Sequence, residues 1–430
     1  MGTSALLTPD INNTTSKRKL FNYNLEFLRG VAALLVVYHH IIVHKHLLDP
    51  AYQPTGIWAF NPPGHLSVLV FFVLSGYVIG LTNPVPLTGV TIGKYLKKRF
   101  WRIFPIYAVS IVFTWLVAYP NYALTVLGGN LLLLQIIEQV PIMWENNPIW
   151  SLSFEIVFYL LFVLISFFRV NDKLLAGVAF LVPLILLIAF NQPGGNALAI
   201  YSGFFCFWIA GVAISNRYRY VEAKVVNYPL LLSSILALVS LEYFNILQTL
   251  FVRVLLAIQP HSMVSNANWP VRIGSPREFV SLPLCLLIIL FFVGANNRFL
   301  KYGYYFLLVV NSLTFVKIFH QYAESVDYSF LIPSLLYLIS VGLLFFQKSS
   351  RLNAIVERCM RQGSALGKIS YGIYIIHFPL LIVFSKVQIV SGTALTFGIR
   401  LILFSGMALG IAYLLERKMQ PFVVRLFTSK

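Results

Sequence analysis

Apolar runs of about twenty residues recur along this chain, and no other feature restricts its fold as strongly. A helix that crosses a bilayer needs about 20 mostly apolar residues, because it rises about 1.5 Å per residue through a hydrocarbon core about 30 Å thick. Only 11% of the 430 residues are charged and 58% are hydrophobic, whereas a soluble domain is about one quarter charged. We predict twelve spans, at 28–44, 66–82, 103–119, 150–168, 174–190, 200–216, 228–244, 279–294, 303–319, 329–346, 369–385 and 393–413. The fold class is therefore an all-α transmembrane helix bundle of about 10–12 spans.

The basic residues predict how this bundle sits in the membrane. With these spans, 24 of the 32 lysines and arginines lie in loops on one side, and such an excess indicates the cytoplasmic side. Both termini are then cytoplasmic: a tail at 1–24, a transmembrane domain at 25–416 and a tail at 417–430. The apolar stretch 122–138 would reverse the topology if it crossed, so we expect it to be re-entrant or interfacial. The net charge of +18 thus indicates loop placement and not nucleic-acid binding.

The first predicted span, "FLRGVAALLVVYHHIIVH", carries ionisable side chains inside an apolar run. Arg29 and His40 are eleven residues apart, close to three helical turns, so they share one face about 16 Å apart along the axis. Ionisable groups are costly in hydrocarbon and normally face a bundle interior or a watery cavity. The alternative is that each side chain reaches to the nearer interface. His40 and His44 have the i, i+4 spacing of metal ligands, but no third ligand stands at a matching spacing, so we expect no metal.

A carboxylate lies in another apolar run, "NPIWSLSFEIVFYLLF". If Pro148 is the first helical residue, Glu155 lies about 10 Å into the membrane, at a depth similar to that of His40. A carboxylate that orients an imidazole is an arrangement for general base catalysis. We therefore predict that His40, Glu155 and Arg29 form the catalytic group. A buried ion pair that only holds helices together is the alternative.

The stretch "KYLKKRFWRIFP" brings three basic side chains together at one end of the third predicted span. Lys98, Arg99 and Arg102 are spaced so that their donors converge on one place. Guanidinium groups suit phosphate oxygens, and this predicts a phosphate-binding site. Basic residues at a cytoplasmic helix end also follow from topology and from anionic lipids, so this alternative stands beside the first.

Three polar residues inside other predicted spans are weaker candidates for the lining of the same cavity. They are His377 in "ISYGIYIIHFPLLI", Ser75 in "LVFFVLSGYVIG" and Ser153 in "WSLSFE". A hydrogen-bonded structural histidine is an equally good interpretation of His377.

Five stretches, in this order, resemble the acyltransferase-3 family of integral membrane O-acyltransferases: "LEFLRGVAALLVVYHH", "LVFFVLSGYVIG", "KRFWRIFPIY", "WSLSFEIVFYLL" and "GKISYGIYIIHFPLL". The resemblance implies transfer of an acyl group, usually acetyl from cytoplasmic acetyl-CoA, to a sugar hydroxyl of an envelope or secreted glycan such as lipopolysaccharide O-antigen or exopolysaccharide. The family's Arg-x10-His maps on Arg29 and His40, and its "WSLSxE" glutamate on Glu155. Its Arg-x2-Arg maps on Arg99 and Arg102, which the resemblance implies meet the CoA phosphates.

The resemblance also implies a bacterial inner membrane, surrounding lipids as partners, a glycan or lipid-linked glycan as acceptor, and no nucleic acid. His40 would either deprotonate the sugar hydroxyl or carry the acyl group as a covalent intermediate, and both routes stay open. The main alternative function is a secondary transporter or flippase that uses Arg29, His40 and Glu155 as a proton relay. We find no internal repeat of the kind that transporters often show. A receptor or scaffold leaves the buried charges unexplained.

Overall fold

A computed structural model describes residues 11–137, 140–190, 197–218, 226–258, 276–295, 297–323 and 328–428. Within these ranges the chain is helical and contains no strand, which confirms the all-α prediction. The α-helices are α1 (Ile11–Val43), α2 (Gly64–Thr82), α3 (Gly89–Ala118), α4 (Leu124–Leu131), α5 (Trp150–Phe167), α6 (Asp172–Phe190), α7 (Ala197–Tyr218), α8 (Tyr228–Tyr243), α9 (Ile246–Ile258), α10 (Leu282–Phe292), α11 (Arg298–Ala323), α12 (Leu331–Phe345), α13 (Ser350–Gly367), α14 (Ser370–Lys386), α15 (Ala394–Tyr413) and α16 (Gln420–Thr428). Residues 1–10 and 429–430 of the predicted tails lie outside the described ranges.

Every predicted span coincides with one of these helices, but the helices differ in their capacity to cross a membrane. In the described ranges, six helical segments are long and apolar enough, namely Tyr23–Val43, Gly64–Thr82, Gly89–Ala118, Trp144–Phe167, Leu198–Tyr218 and Ala394–Phe427. The number rises to eight if α8 with α9 and α13 with α14 each form one bent span. Two more apolar helices, Phe279–Phe292 and Leu331–Phe345, are shorter. A membrane-spanning bundle is thus supported, and the side on which the termini lie stays a prediction.

The stretch 122–138 forms no helix of spanning length over its described residues, 122–137. Its helix α4 has only eight residues and is followed by a 3-10 turn. The Tyr107 hydroxyl on α3 donates to the backbone oxygen of Asn130 at 2.7 Å and accepts from Gln135 Nε2 at 2.7 Å. These bonds tie α4 and the 3-10 turn to α3. The re-entrant or interfacial position of the segment stays a prediction.

The helix α2 packs against α1, α5, α7 and α10, and it crosses α7 at very short range. A Cβ atom added at Gly76 would lie 1.8 Å from the backbone oxygen of Trp208, and one at Gly211 would lie 2.1 Å from that of Val73. Only glycine allows this approach, because a methyl group at either position would overlap the opposite backbone. The crossing fixes α2, and with it Ser75, against α7.

The helices fall into two groups around this crossing. In one group, α14 packs against α1, α3 and α15, and α1 packs against α2 and α13. In the other, α8 packs against α10 and α12. A buried cluster stabilises the second group: Ser233 Oγ donates to the backbone oxygen of Ser340 at 2.8 Å and lies 2.7 Å from the Tyr304 hydroxyl. The predicted site residues all belong to the first group and to α5.

Candidate functional site

A cavity of about 860 Å³ lies within the first group of helices. Along α2 its lining runs from Thr82 through Ser75 to Val68, and along α14 from Ser370 to Tyr374. Five basic residues of α3 line the cavity at one end, which we call the basic mouth: Lys94, Lys97, Lys98, Arg99 and Arg102. A volume of this size is typical of a site for a small molecule.

Two of the predicted phosphate ligands, Lys98 and Arg99, form no ion pair with an acidic side chain in the described part of the chain. Lys98 is exposed at the mouth. The Arg99 guanidinium lies 5.8 Å from the ring centroids of Tyr95 and Tyr159, and its buried Nε has no hydrogen-bond partner among the described residues. A buried donor without a partner is costly, so Arg99 is suited to an added acceptor such as a phosphate oxygen.

Arg102, the third predicted phosphate ligand, is held on one edge by an acidic residue that the sequence analysis did not identify. Its Nη1 donates to the Glu416 carboxylate at 2.7 Å and to Gln420 Oε1 at 3.3 Å. The Glu416 side chain is 1% exposed, whereas that of Arg102 is 43% exposed. Glu416 also accepts from the backbone N–H of Gly372 at 2.9 Å. The guanidinium is therefore fixed in position while part of it still faces the basic mouth.

Arg29 on α1 lines the same cavity. Its Nη1 donates to Glu26 Oε1 at 2.8 Å, and the Arg29 side chain is 21% exposed. The pair lies on one face of α1, because residues three apart are neighbours on a helix. Arg29 is thus a cavity residue, and its catalytic role stays a prediction.

Glu155 lies on the cavity wall and forms no hydrogen bond with His40 in the described structure. Its carboxylate accepts from Ser75 Oγ at 2.5 Å and from the Tyr159 hydroxyl at 2.5 Å. Trp208 Nε1 donates to Ser75 Oγ at 3.3 Å, which extends the network to α7. The predicted pairing of Glu155 with His40 rested on equal depth, and depth does not fix the direction in which a side chain leaves its helix.

The hydrogen-bond partner of His40 is His377 on α14. His40 Nδ1 lies 2.9 Å from His377 Nε2, and the two rings stack with their centroids 5.0 Å apart. His377 is fully buried, and its Nδ1 lies 2.6 Å from the backbone oxygen of Tyr374. The structure therefore joins two histidines that are separated by 337 residues in sequence.

These contacts determine which ring nitrogens carry protons when both imidazoles are neutral. A carbonyl oxygen only accepts, so His377 Nδ1 carries the proton that is donated to Tyr374. His377 Nε2 then bears a lone pair, and His40 Nδ1 donates to it. His40 Nε2 is left with its own lone pair. The arrangement orients His40 as a general base without a carboxylate.

The end of the cavity lies about one helical turn from this pair. Tyr374 lines the cavity, and His377 follows it by three residues, about 5 Å along α14. The Tyr374 hydroxyl lies 2.6 Å from Ser151 Oγ and donates to the backbone oxygen of Pro148 at 2.5 Å. His40 and His377 themselves are not among the described residues that line the cavity. The cavity thus leads toward the histidine pair without including it.

The weaker candidates have different outcomes. Ser75 lines the cavity, whereas Ser153 is buried and Ser151 lines the wall in its place. The sequence analysis missed Tyr159 and Tyr374, although each lies one helical turn from a residue that it singled out. In the described ranges, no group of three His, Cys, Asp or Glu side chains is placed to hold a metal ion. The expectation of no metal stays a prediction.

The comparisons with known proteins identify the family. A family model described as an acyltransferase domain matches residues 22–417. The chain belongs to the acyltransferase-3 family. The resemblance noted from the sequence is thereby confirmed over nearly the whole length of the chain.

Two curated proteins match parts of this acyltransferase-3 protein. "Acyltransferase MdmB" of Streptomyces mycarofaciens is 31% identical over 151 residues, which are 33% of this chain and 38% of the relative. "Protein 2 in picA locus" of Rhizobium radiobacter is 35% identical over 89 residues, which are 20% of this chain and 40% of the relative. The chain therefore spans well under half the length of these relatives. No solved structure matches.

The residues onto which the family motifs map are distributed along one path in this acyltransferase-3 protein. Arg99, Arg102, Arg29 and Glu155 line the cavity, and His40 contacts His377, which follows the cavity residue Tyr374 by three residues on α14. The arrangement links a positively charged opening with an oriented base.

Proposed function

We propose that the protein is a membrane O-acyltransferase that moves an acetyl group from acetyl-CoA to a sugar hydroxyl of a glycan. The observation that carries this proposal is the hydrogen-bonded series from His40 through His377 to the Tyr374 carbonyl, next to the end of the cavity that begins at the basic mouth. Family membership supports the reaction class, and a relative named an acyltransferase agrees with it.

The chemistry of the basic mouth fits the phosphates of CoA. Arg99 and Lys98 have no acidic partner in the described residues, and Arg102 is oriented by Glu416. The pantetheine arm of acetyl-CoA would extend along the cavity past Arg29. The basic mouth would face the cytoplasm, in keeping with the excess of lysine and arginine predicted for that side.

The histidine pair would perform the transfer. His40 Nε2 takes the proton of the acceptor hydroxyl, and the hydroxyl oxygen bonds to the carbonyl carbon of the thioester. The carbon–sulfur bond breaks, and the proton passes from His40 to the leaving thiolate, so the products are the acetate ester and free CoA. A covalent route would use the same lone pair of His40 as nucleophile. In both routes His377 positions His40, and Glu155 holds Ser75 and Tyr159 beside the donor.

We place the protein in a bacterial inner membrane, with a surface glycan such as lipopolysaccharide or exopolysaccharide as acceptor. The support for this placement is the set of apolar helices, the family and the bacterial sources of both relatives. The family does not distinguish among glycans, so the acceptor is proposed only as a class.

The test is the alkali-labile O-acetate of the surface glycan, measured by proton NMR in a deletion strain. The strain is complemented with wild type, His40→Gln or His39→Gln at equal membrane abundance. His39 is the matched control, because its Nδ1 is bonded to Asn61 and Pro62 and not to His377. We expect acetate to return with wild type and His39→Gln but not with His40→Gln. Acetate that is unchanged by the deletion would refute the proposal.

A further inference from the structure

Three aromatic rings pack against one another next to His40, and we call them the aromatic mouth: His44, Trp144 and Phe378. The Phe378 ring lies 5.5 Å from His40 and 5.0 Å from His44, centroid to centroid. Trp144 lies 6.2 Å from His44 and 5.8 Å from Phe378. All four pairs meet edge to face, at interplanar angles between 79° and 87°. The contacts connect the indole of Trp144 to His40 through the rings of His44 and Phe378.

Trp144 is exposed although its surroundings are tightly packed. Its side chain is 49% exposed, whereas Met143 and Asn146 are fully buried. Its backbone N–H donates to the Tyr122 hydroxyl at 3.0 Å, and Asn146 Nδ2 donates to Ser110 Oγ at 2.9 Å. The backbone segment that carries the exposed indole is therefore held by hydrogen bonds and is not part of a loosely packed loop.

A polar group with unused hydrogen-bonding capacity lies beside this indole. His44 is partly exposed, and neither of its ring nitrogens takes part in a hydrogen bond within the described residues. Its neighbour His39 differs, because His39 Nδ1 lies 2.8 Å from Asn61 Oδ1 and 3.0 Å from the Pro62 carbonyl oxygen. The His40 and His44 rings are 5.7 Å apart. A ligand at His44 would thus be within reach of His40.

We propose that the aromatic mouth is the acceptor subsite, where one sugar ring stacks on the Trp144 indole and one of its hydroxyls bonds to His44. A pyranose has an apolar C–H face and a polar rim, and this combination matches an aromatic face with a polar group beside it. A second hydroxyl of the same ring then reaches His40 Nε2. This inference rests on the proposed function, because it assigns the acceptor side of that reaction.

Tryptophan at a membrane interface also serves as an anchor toward lipid. An anchor needs no neighbouring hydrogen-bonding group and no proximity to the base, so it would not bind a sugar. The contacts of Trp144 with His44 and Phe378 favour the subsite, and a binding experiment separates the two roles.

The experiment uses the full chain in nanodiscs. It measures the binding of methyl glycosides by saturation-transfer NMR and the binding of acetyl-CoA by calorimetry on the same samples. The probes are the methyl glycosides of glucose, galactose and rhamnose, with cyclohexanol as a non-sugar ring. The variants are Trp144→Ala, Trp144→Phe and His44→Ala. Phe167→Ala is the matched control, because Phe167 is a 50% exposed aromatic residue at the other end of the same helical segment.

We expect wild type to bind at least one methyl glycoside and to bind cyclohexanol more weakly. Trp144→Ala weakens glycoside binding about tenfold, because one aromatic contact of about 1.4 kcal/mol is lost. Trp144→Phe retains most of the binding, His44→Ala loses part of it, and Phe167→Ala behaves as wild type. Acetyl-CoA binding is unchanged in all variants. The subsite is refuted if wild type binds no glycoside or if Trp144→Ala binds as wild type. A wild-type protein that does not bind acetyl-CoA would instead count against the proposed function.

Discussion

The basic mouth, at one end of the cavity, and the aromatic mouth, next to His40 and outside the cavity lining, are built from different chemistry. Five lysines and arginines line the basic mouth, and one of them is oriented by the buried Glu416. The aromatic mouth consists of the rings of His44, Trp144 and Phe378, which pack beside His40. Charge is suited to a donor that carries phosphates, and aromatic faces are suited to a neutral ring.

If the basic mouth binds the donor and the aromatic mouth binds the acceptor, as proposed, one bundle separates the two substrates. The helices α1 and α14 contribute to both regions: Arg29 and Tyr374 line the cavity, whereas His44 and Phe378 belong to the aromatic mouth. Under these proposals, different residues recognise the donor and the acceptor. Variants should therefore affect donor binding, acceptor binding or transfer separately, and the following predictions test that separation.

The largest effect is expected from His40→Ala. We expect kcat for acetyl transfer by the purified protein to fall by about a thousandfold, within the range of about 10²–10⁴ that a general base contributes. The dissociation constant of acetyl-CoA, measured by calorimetry, should stay within twofold of wild type, because His40 does not line the cavity. A fall in donor affinity that accounts for the lost activity would place His40 in the donor site instead.

A smaller loss of transfer is expected from changes at His377. His377→Leu removes the acceptor of the His40 Nδ1 proton, and we expect kcat to fall about a hundredfold. His377→Gln keeps an acceptor oxygen and should lose only about tenfold. KM for acetyl-CoA should stay unchanged in both variants. A merely structural role would lower the amount of folded protein and leave Leu and Gln equivalent, and that result would contradict the positioning role.

The next prediction concerns Asp49, which ties the loop after α1 to the loop before α15. Burial raises the pKa of Asp49, but hydrogen bonds from Ser391, Thr396 and the backbone N–H groups of Ala51 and Gly392 together hold the pKa below its usual value. A carboxyl group with a lowered pKa stabilises the fold above its unfolded pKa of about 3.9, and the contribution is lost as the pH falls through the folded pKa.

We therefore expect Asp49→Asn to lower the free energy of unfolding at pH 7 by about 2 kcal/mol, because hydrogen bonds to a charged acceptor are weakened. The difference from wild type should shrink below about pH 3.9 and disappear once the pH has fallen through the lowered pKa of folded Asp49, where this carboxyl group becomes protonated. The measurement is thermal unfolding in detergent at pH 7 and over a series of acidic pH values below about 3.9. Asp172→Asn is the control, since Asp172 accepts from Asn216 and Lys173 elsewhere. A difference that persists at low pH would contradict the assignment.

The smallest effect is expected at the basic mouth. Arg99→Ala should raise KM for acetyl-CoA about tenfold, because a charge-assisted hydrogen bond to phosphate is lost. KM for the acceptor and kcat should change little, and salt should weaken donor binding less in the variant than in wild type. Arg351→Ala, at an exposed arginine of α13, is the control. If Arg99→Ala raises KM for the acceptor as much as KM for acetyl-CoA, the two mouths do not recognise separate substrates.

The helices were predicted well from the sequence because the bilayer restricts the secondary structure that an apolar run can adopt. Each apolar run must satisfy its backbone hydrogen bonds internally, so it folds as a helix. The same argument placed Arg29 and His40 on one face, and the close spacing of Lys98, Arg99 and Arg102 predicted a shared basic end. Both results depend only on helix geometry within one segment.

Contacts between segments were not predictable from that geometry. Glu155 and His40 were paired by depth alone, whereas the rotation of α5 directs Glu155 to Ser75 and Tyr159. His377 was recognised as a candidate, but its contact with His40 was not foreseen. Glu416 and Trp144 gave no distinctive signal, since an acidic residue near a helix end and an interfacial tryptophan are common in membrane proteins.

By itself, the sequence determined that the chain is a helical membrane protein, which family it resembles and which α1 and α3 residues share a face. These properties follow from hydropathy and from the 3.6-residue period, both of which act locally. The tertiary structure alone decided the partner of His40, the tautomer that this partner imposes, the anchoring of Arg102 and the rings of the aromatic mouth. The relative rotation and register of packed helices determine these contacts, and they depend on close approaches such as Gly76 to Trp208 that no single segment encodes.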